Sequence, residues 1–363
     1  MSDTPKDLGP IRQRIDAIDA DIHELIAERA RLAQHVGETK RGEGTVAFYR
    51  PEREAEVLRG VIERNQGPLT DEEMVRLFRE IMSACLSQQE PLKIGFLGPE
   101  GTFSHQAVLK HFGHSCRALP LATLDEVFGM VQAHDADFGV VPIENSTAGT
   151  VTHTLDLFLG SPLKICGEVE MRIRQHLMGR MQRLEDVRRV CAHPQSLAQC
   201  QAWLRQYLPD VETVATPSNA EGARRARDEQ GTAAIAPDAA AQIYDLQVLV
   251  AEIEDESDNT TRFLVVGDKI LEPSGNDRTT LLLSGAETDQ SGSLHALLEP
   301  LARHGVNMTR IESRPSRRRS WHYAFFLDLD GHASDPNVAA ALEELEQRAD
   351  PLRVLGSYPK AVL

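Results

Sequence analysis

From Ile11 to Val36 apolar residues return at one helical spacing: Ile11, Ile15, Ile18, Ile22, Leu25, Ile26, Leu32, Ala33 and Val36. Recurrence at i, i+3, i+4 and i+7 predicts one long amphipathic helix. Gly42 and Gly44 end it. A second helix is expected after Pro51, a residue suited to a first turn, with Val57, Leu58, Val61 and Ile62 on its apolar face. Gly67-Pro68 stops that one. Thr70 and Glu73 then form a capping-box pattern ahead of Met74, Phe78, Ile81 and Cys85. Residues 1–90 therefore read as an all-α unit of one long helix and two shorter ones.

The period changes at Glu90-Pro91. Leu92–Leu97 is a short apolar run entering a glycine loop. Phe138–Pro142, Arg189–Ala192 and Ala233–Ala236 repeat that sense, with helical stretches between them. Alternating strands and helices predict a mostly parallel α/β sheet over residues 91–272. Pro273 to Arg278 is a polar turn cluster and reads as a linker. From residue 278 to 363 the order is strand, helix, strand, strand, helix, strand, the ferredoxin-like βαββαβ pattern of an α+β unit.

A chain of 363 residues is long enough for these three units. A net charge of −16 argues against nucleic acid and anionic membrane as partners of the whole surface. A local cationic pocket for a small anion remains compatible with it. Five cysteines, odd in number and without a C-x-x-C pair, fit reduced thiols in a cytoplasmic protein. Met1 to Gly9 has no apolar core of a signal peptide, and no stretch has the apolar length of a membrane span.

Cations fall on the apolar side of the helical unit. Arg29 lies near the centre of the first helix's band, Lys40 inside it and Arg12 on its edge; Glu54 and Arg53 sit on or beside the second apolar face, and Gln89 follows Cys85 by one turn. Any one of them is explained by a stem snorkelling past a core edge. Several inward cations with one glutamate call for an anionic ligand such as a dicarboxylate. Together with the Y-R-P-E-R-E run at Tyr49 to Glu54 and the C-L-S-Q-Q end, these residues resemble the all-helical chorismate mutases over residues 8–90. The resemblance implies an interleaved homodimer or higher homo-oligomer, with Arg12 reaching into the partner's site. It also implies a pericyclic reaction driven by confinement and electrostatics. Arg12, Arg29 and Arg53 would hold two carboxylates, Lys40 and Gln89 the ether oxygen, and Glu54 the ring hydroxyl. Cys85 stands where some relatives carry serine.

In the middle unit Gly95, Gly98 and Gly101 are spaced G-x-x-G-x-x-G, which is neither the dinucleotide fingerprint nor a Walker loop. Alone, that loop offers only an anion site at a helix N-terminus, with Thr102 and Ser104 adding hydroxyls. It is followed in order by Val141-Pro-Ile-Glu-Asn-Ser146 with Gly149, His193-Pro-Gln-Ser196, Ser218-Asn-Ala-Glu221 and Asn259-Thr-Thr-Arg-Phe263. That series resembles the prephenate dehydratases. The resemblance implies two α/β lobes like a type II periplasmic binding protein, with the site in the cleft. Thr261 would be the hydroxyl donor to the leaving water and Arg262 a carboxylate anchor or orienter. Thr102, Ser104, Glu144, Asn145, Ser146 and Phe263 would contribute to substrate binding. Read by itself, Thr261 is an ordinary β-branched strand residue. Whether it transfers a proton or only hydrogen-bonds stays open.

Gly292-Ser-Leu-His295 and Glu312-Ser-Arg-Pro315, with Asn307 between them, resemble the phenylalanine-binding motifs of ACT domains. Gly292, Ser293, Leu294, Asn307, Glu312, Ser313, Arg314 and Pro315 would form that effector site. Arg317–Arg319 reads as a solvated hairpin turn. His105, His111 and His114 match no metal-ligand spacing, so neither metal nor other cofactor is expected. The small-molecule partners implied are chorismate and prephenate as substrates and phenylalanine as effector. Two rivals stand beside this reading: a non-catalytic amino-acid sensor, and a dehydratase preferring arogenate.

Overall fold

The computed structural model describes residues 8–42, 49–285, 291–315 and 323–363. The Arg317–Arg319 run and the side chain of Lys40 lie outside what is described. Gly9–Gly42 is one helix of 34 residues, about 51 Å long at about 1.5 Å per residue. Its N-terminal half stands clear of the body, and Ile11, Ile15, Ile18, Ile22 and Leu25 are 40 to 64 % exposed. Only its C-terminal part lies on the helix Asp71–Ser87, where Gly37 is buried. The face expected to be core is thus uncovered within one chain.

Pro51–Arg64 begins with its proline in the first turn, and Leu58 and Val61 are buried. Asp71–Ser87 begins with the capping box: Thr70 Oγ1 accepts from Glu73 N at 3.2 Å, and the Glu73 carboxylate accepts from Thr70 N at 2.9 Å. Tyr49 ties this unit to the next. Its buried ring sits 5.5 Å from the rings of both Phe112 and Phe138.

The middle unit has two lobes. In the first, strands run in the order Arg117–Leu121, Lys93–Leu97, Phe138–Asn145, Thr260–Gly267, Lys164–Arg172. In the second the order is Gln247–Val250, His176–Gly179, Thr232–Ala236, Arg189–Ala192, Glu212–Ala215. The chain crosses between lobes twice, over residues 173–175 and 251–259. Each sheet is mixed, against the expectation of a mostly parallel one. Thr260–Gly267 returns from the second lobe and runs antiparallel to both neighbours in the first. His176–Gly179 does the same in the second.

The C-terminal unit is a βαββαβ fold: Asp277–Gly285, Ser293–Arg303, Met308–Pro315, Tyr323–Asp330, Pro336–Glu346 and Ala349–Pro359. Its antiparallel sheet is two-faced because successive side chains alternate. Leu281, Leu283, Leu327 and Leu329 pack under the two helices. Leu282, Ala324, Phe326, Leu355 and Tyr358 face the first lobe and share one core with Ile143, Leu155, Phe158 and Ile165. The closest approach is at Gly356, where a Cβ would lie 2.2 Å from the Ile165 carbonyl oxygen. Only glycine permits that packing.

Candidate active sites

A cavity of about 860 Å³ opens between the two lobes. The first lobe lines it with Thr102 and Ser104 at the start of the helix Phe103–Phe112, with Asn145 at the end of one strand, and with Thr261 on its antiparallel neighbour. The second lobe contributes Gln175, His193, Ser196, Gln199, Ser218 and Asn219. Gln199 Nε2 reaches Thr147 Oγ1 at 3.4 Å, so the lobes are already latched across the cleft.

Asn145 and Thr261 are cross-strand partners, and Asn145 Nδ2 donates to Thr261 Oγ1 at 2.8 Å. The amide cannot be turned the other way. Its oxygen accepts from the backbone N–H of Ala148 at 2.8 Å and of Thr147 at 3.2 Å, while Asn259 Oδ1 takes a second bond from Nδ2 at 2.7 Å. Thr261 Oγ1 is therefore an acceptor toward Asn145, and its own hydrogen is left for the cleft. Asn259, 1 % exposed, was not singled out from sequence, although it opens the quoted Asn259–Phe263 motif. Ser146 turns away from substrate duty: its hydroxyl accepts from Thr260 N at 2.9 Å and fixes the strand end.

Two assigned cleft residues lie elsewhere. Arg262 and Glu144 project from the opposite face of the same strands, because neighbours on a strand alternate sides. Arg262 donates to Glu168 at 2.8 Å, to Asp328 at 2.5 Å and to the Tyr358 hydroxyl at 3.0 Å. Burial works against its charge, but Tyr358, Asp328 and Glu168 outweigh that and hold it charged, with its pKa above the ordinary value. Glu144 pairs with Arg310 at 2.9 Å. Neither can anchor a carboxylate in the cleft. Among the described residues no Arg, Lys, Asp or Glu lines the cavity at all. Burial lowers the pKa of His193, keeping a neutral imidazole there. Phe263 does line it, while His105 is held by stacking 5.0 Å from Phe96 and by accepting from Gly101 N. Among the described residues no group of His, Cys, Asp and Glu could hold a metal ion.

In the helical unit Glu54 lies in a small pocket with Tyr49, Arg79 and His111. Arg79 Nε is 3.6 Å from its carboxylate. Burial lifts the Glu54 carboxyl to about 7, against the pull of Arg79 and, further off, Arg29. Arg79, its partner, is buried on the third helix, off the apolar row of Met74, Phe78, Ile81 and Cys85 that the sequence shows. Gln89 Nε2 donates to the Ala33 carbonyl at 2.5 Å and packs on Gly37, which places it against the long helix between Arg29 and Lys40. Cys85 is a buried thiol. Arg53 is exposed and pairs with Glu56 at 2.8 Å. Arg12 is exposed on the free half of the long helix, so one chain does not bring it to the others.

In the C-terminal unit Gly292 caps the helix Ser293–Arg303 at φ 86°, with Ser293 and Leu294 in its first turn. Asn307 donates to Asp330 at 2.7 Å. The Met308–Pro315 strand divides the other motif. Ser313 and Pro315 are exposed. Glu312 accepts from Thr150 at 2.8 Å, and Arg314 makes a forked pair with Asp156 at 2.9 to 3.1 Å. Glu312 and Arg314 thus face the first lobe.

Three family models match the chain in turn. Residues 11–90 match chorismate mutase type II, 94–270 prephenate dehydratase and 279–347 the ACT domain. A bifunctional chorismate mutase/prephenate dehydratase of Pseudomonas aeruginosa is 51 % identical over 361 residues, covering 98 % of both chains. The protein of that description from Neisseria gonorrhoeae is 47 % identical over 359 residues, again covering 98 % of both. Among solved structures, prephenate dehydratase from Arthrobacter aurescens in complex with L-Phe aligns at a TM-score of 0.69 and 36 % identity, over 75 % of this chain and 93 % of that one.

Proposed function

The chain belongs to the bifunctional chorismate mutase/prephenate dehydratases, and from that premise we propose how its residues divide the work. It converts chorismate to prephenate and prephenate to phenylpyruvate on the route to phenylalanine. We set the division at residues 1–90 for the first reaction, 91–272 for the second and 278–363 for control.

In the cleft, electrons of the ring carbon–carboxylate bond move into the ring as carbon dioxide leaves. They expel the ring hydroxyl, which departs as water after taking up a proton. Thr261 is the donor to that hydroxyl, and the observation that carries this is the Asn145-to-Thr261 hydrogen bond at 2.8 Å. It turns the threonine hydrogen toward the cavity. The uncharged lining supports the same chemistry. A guanidinium held on the ring carboxylate would stabilise the charge that must be lost, raising the barrier. The carboxylates are received instead by hydroxyls and by the N–H groups opening the helices Phe103–Phe112 and Asn219–Asp228. The lack of an acidic group among the described lining residues favours prephenate over arogenate, whose ammonium would go unpaired.

In the helical unit Arg29, Arg53, Lys40 and Gln89 hold chorismate, with Glu54 on the ring hydroxyl and Arg12 supplied by a second copy. What supports a homodimer is the uncovered apolar row from Ile11 to Leu25, which a second such helix would bury. Phenylalanine acts at the ACT unit near Gly292, Asn307 and Ser313. We place the protein in the cytoplasm on its five unpaired thiols; no described helix is long and apolar enough to cross a membrane. The test is phenylpyruvate formation from chorismate by this protein alone. Prephenate formed without phenylpyruvate, or neither product, refutes the reading, and so does a preference for arogenate over prephenate for the substrate assignment.

A further inference from the structure

Two cross-strand pairs lie side by side on Phe138–Asn145 and Thr260–Gly267. Asn145 and Thr261 form the first and face the cleft; Glu144 and Arg262 form the next and face the ACT sheet. The register shifts directly beyond Arg262, a bulge of the kind that re-aims side chains beside active sites. On the ACT side both outward residues are gripped. Arg262 meets Asp328 and Tyr358, which Thr280 also bonds at 2.7 Å each. Glu144 meets Arg310, whose guanidinium also donates to Thr150 at 3.2 Å, and Thr150 lines the cleft. Arg262, Arg310 and Asp328 share one small void between the sheets.

We propose that the Glu144·Arg262 pair positions the Thr261·Asn145 pair, and that the ACT domain controls the dehydratase through it by way of Arg310 and Asp328. The inference rests on the reading of Thr261 as the donor and of the ACT unit as the phenylalanine receptor. Along Met308–Pro315, Arg310, Glu312 and Arg314 face the first lobe, while Ile311, Ser313 and Pro315 are exposed. An effector on the exposed face that moves this strand moves Arg310, and Arg310 is tied to the residue before Asn145. Adhesion alone does not require these charges. Phe326, Leu355 and Ile165 already make an apolar seam, and buried ion pairs seldom add net stability over apolar packing. Their geometry suits a device with two arrangements, one of which phenylalanine binds better.

The experiment uses the full-length protein with Arg310→Gln, Glu144→Gln and the double substitution. It reads the ratio of dehydratase kcat/KM without and with saturating phenylalanine, and calorimetric phenylalanine binding. Native coupling is expected within the usual range of about 5- to 150-fold. Each single variant still binds phenylalanine but its ratio falls toward one; the double variant falls no further, and Arg310→Lys restores part of the native ratio. Variants that bind phenylalanine and keep the native ratio overturn the proposal. So does loss of binding together with inhibition, which puts Arg310 inside the effector site. Should Arg310→Gln fail to fold, Glu144→Gln, on the half-exposed partner, decides by the same two readouts. A native enzyme indifferent to phenylalanine overturns the receptor reading, and the relay with it, before any substitution is made.

Discussion

Asn145 and Thr261 sit opposite each other on antiparallel strands, and the direction of the hydrogen bond between them is settled by two backbone N–H groups on the far side of the asparagine amide. A hydroxyl that accepts on one side keeps its own hydrogen free to donate on the other. Asn145→Asp reverses that. The carboxylate accepts from Thr261 and takes the hydrogen meant for the cleft. Dehydratase kcat is expected to fall by about 10²–10⁴-fold, the usual worth of a placed proton donor, while mutase activity stays at the native level. A retained dehydratase kcat in the folded variant removes the orienting role.

Thr261→Ala takes away the proposed donor hydroxyl without adding bulk. Steady-state kinetics on prephenate should show kcat falling far more than KM changes, as when an interaction is made mainly in the transition state. A change confined to KM would make Thr261 a binding residue.

Glu54 gives activity and stability opposite pH trends. Its folded-state pKa of about 7 lies above the ordinary 4.5, so the folded chain binds the extra proton. Its stabilising contribution is full below 4.5 and is lost as pH rises through 7. In the proposed reading Glu54 accepts from the ring hydroxyl when ionised, so mutase kcat/KM should rise with pH through the same range. Glu54→Gln should flatten both profiles; melting curves and a pH–rate profile check this. A mutase inflection near 7 that survives in the variant assigns it to another group.

Arg12 and Arg29 serve one site from two chains in this reading. Arg12→Ala and Arg29→Ala should each abolish mutase turnover and leave the dehydratase largely intact. Mixed and allowed to exchange subunits, the two variants should recover about a quarter of native mutase activity, since half the dimers are mixed and each rebuilds one of two sites. No recovery after proven exchange contradicts the shared site.

The three units were legible because their periods differ: 3.6 over the first helix, strand-then-helix in the middle, and βαββαβ at the end. The capping box at Thr70 and Glu73 was legible because it is local. The strand Lys164–Arg172 was not singled out, since Glu168 and Glu170 interrupt its apolar run. Glu168 is buried there only because Arg262 and Arg278, distant in sequence, pair with it. The motifs put Arg262 and Glu144 in the cleft, although the two-residue period of a strand already separates each from its cleft-facing neighbour. Asn259 and Arg79 carried no local signal, because their roles depend on strands and helices that meet only in the fold. The apolar row from Ile11 to Leu25 predicts a helix, which forms, but within one chain that face stays exposed.

The most direct test supplies chorismate to Thr261→Ala and follows both products over time. Prephenate accumulating at the native mutase rate, with phenylpyruvate formation reduced in proportion to the loss in dehydratase kcat, is the predicted result. Phenylpyruvate appearing at the native rate would contradict the account.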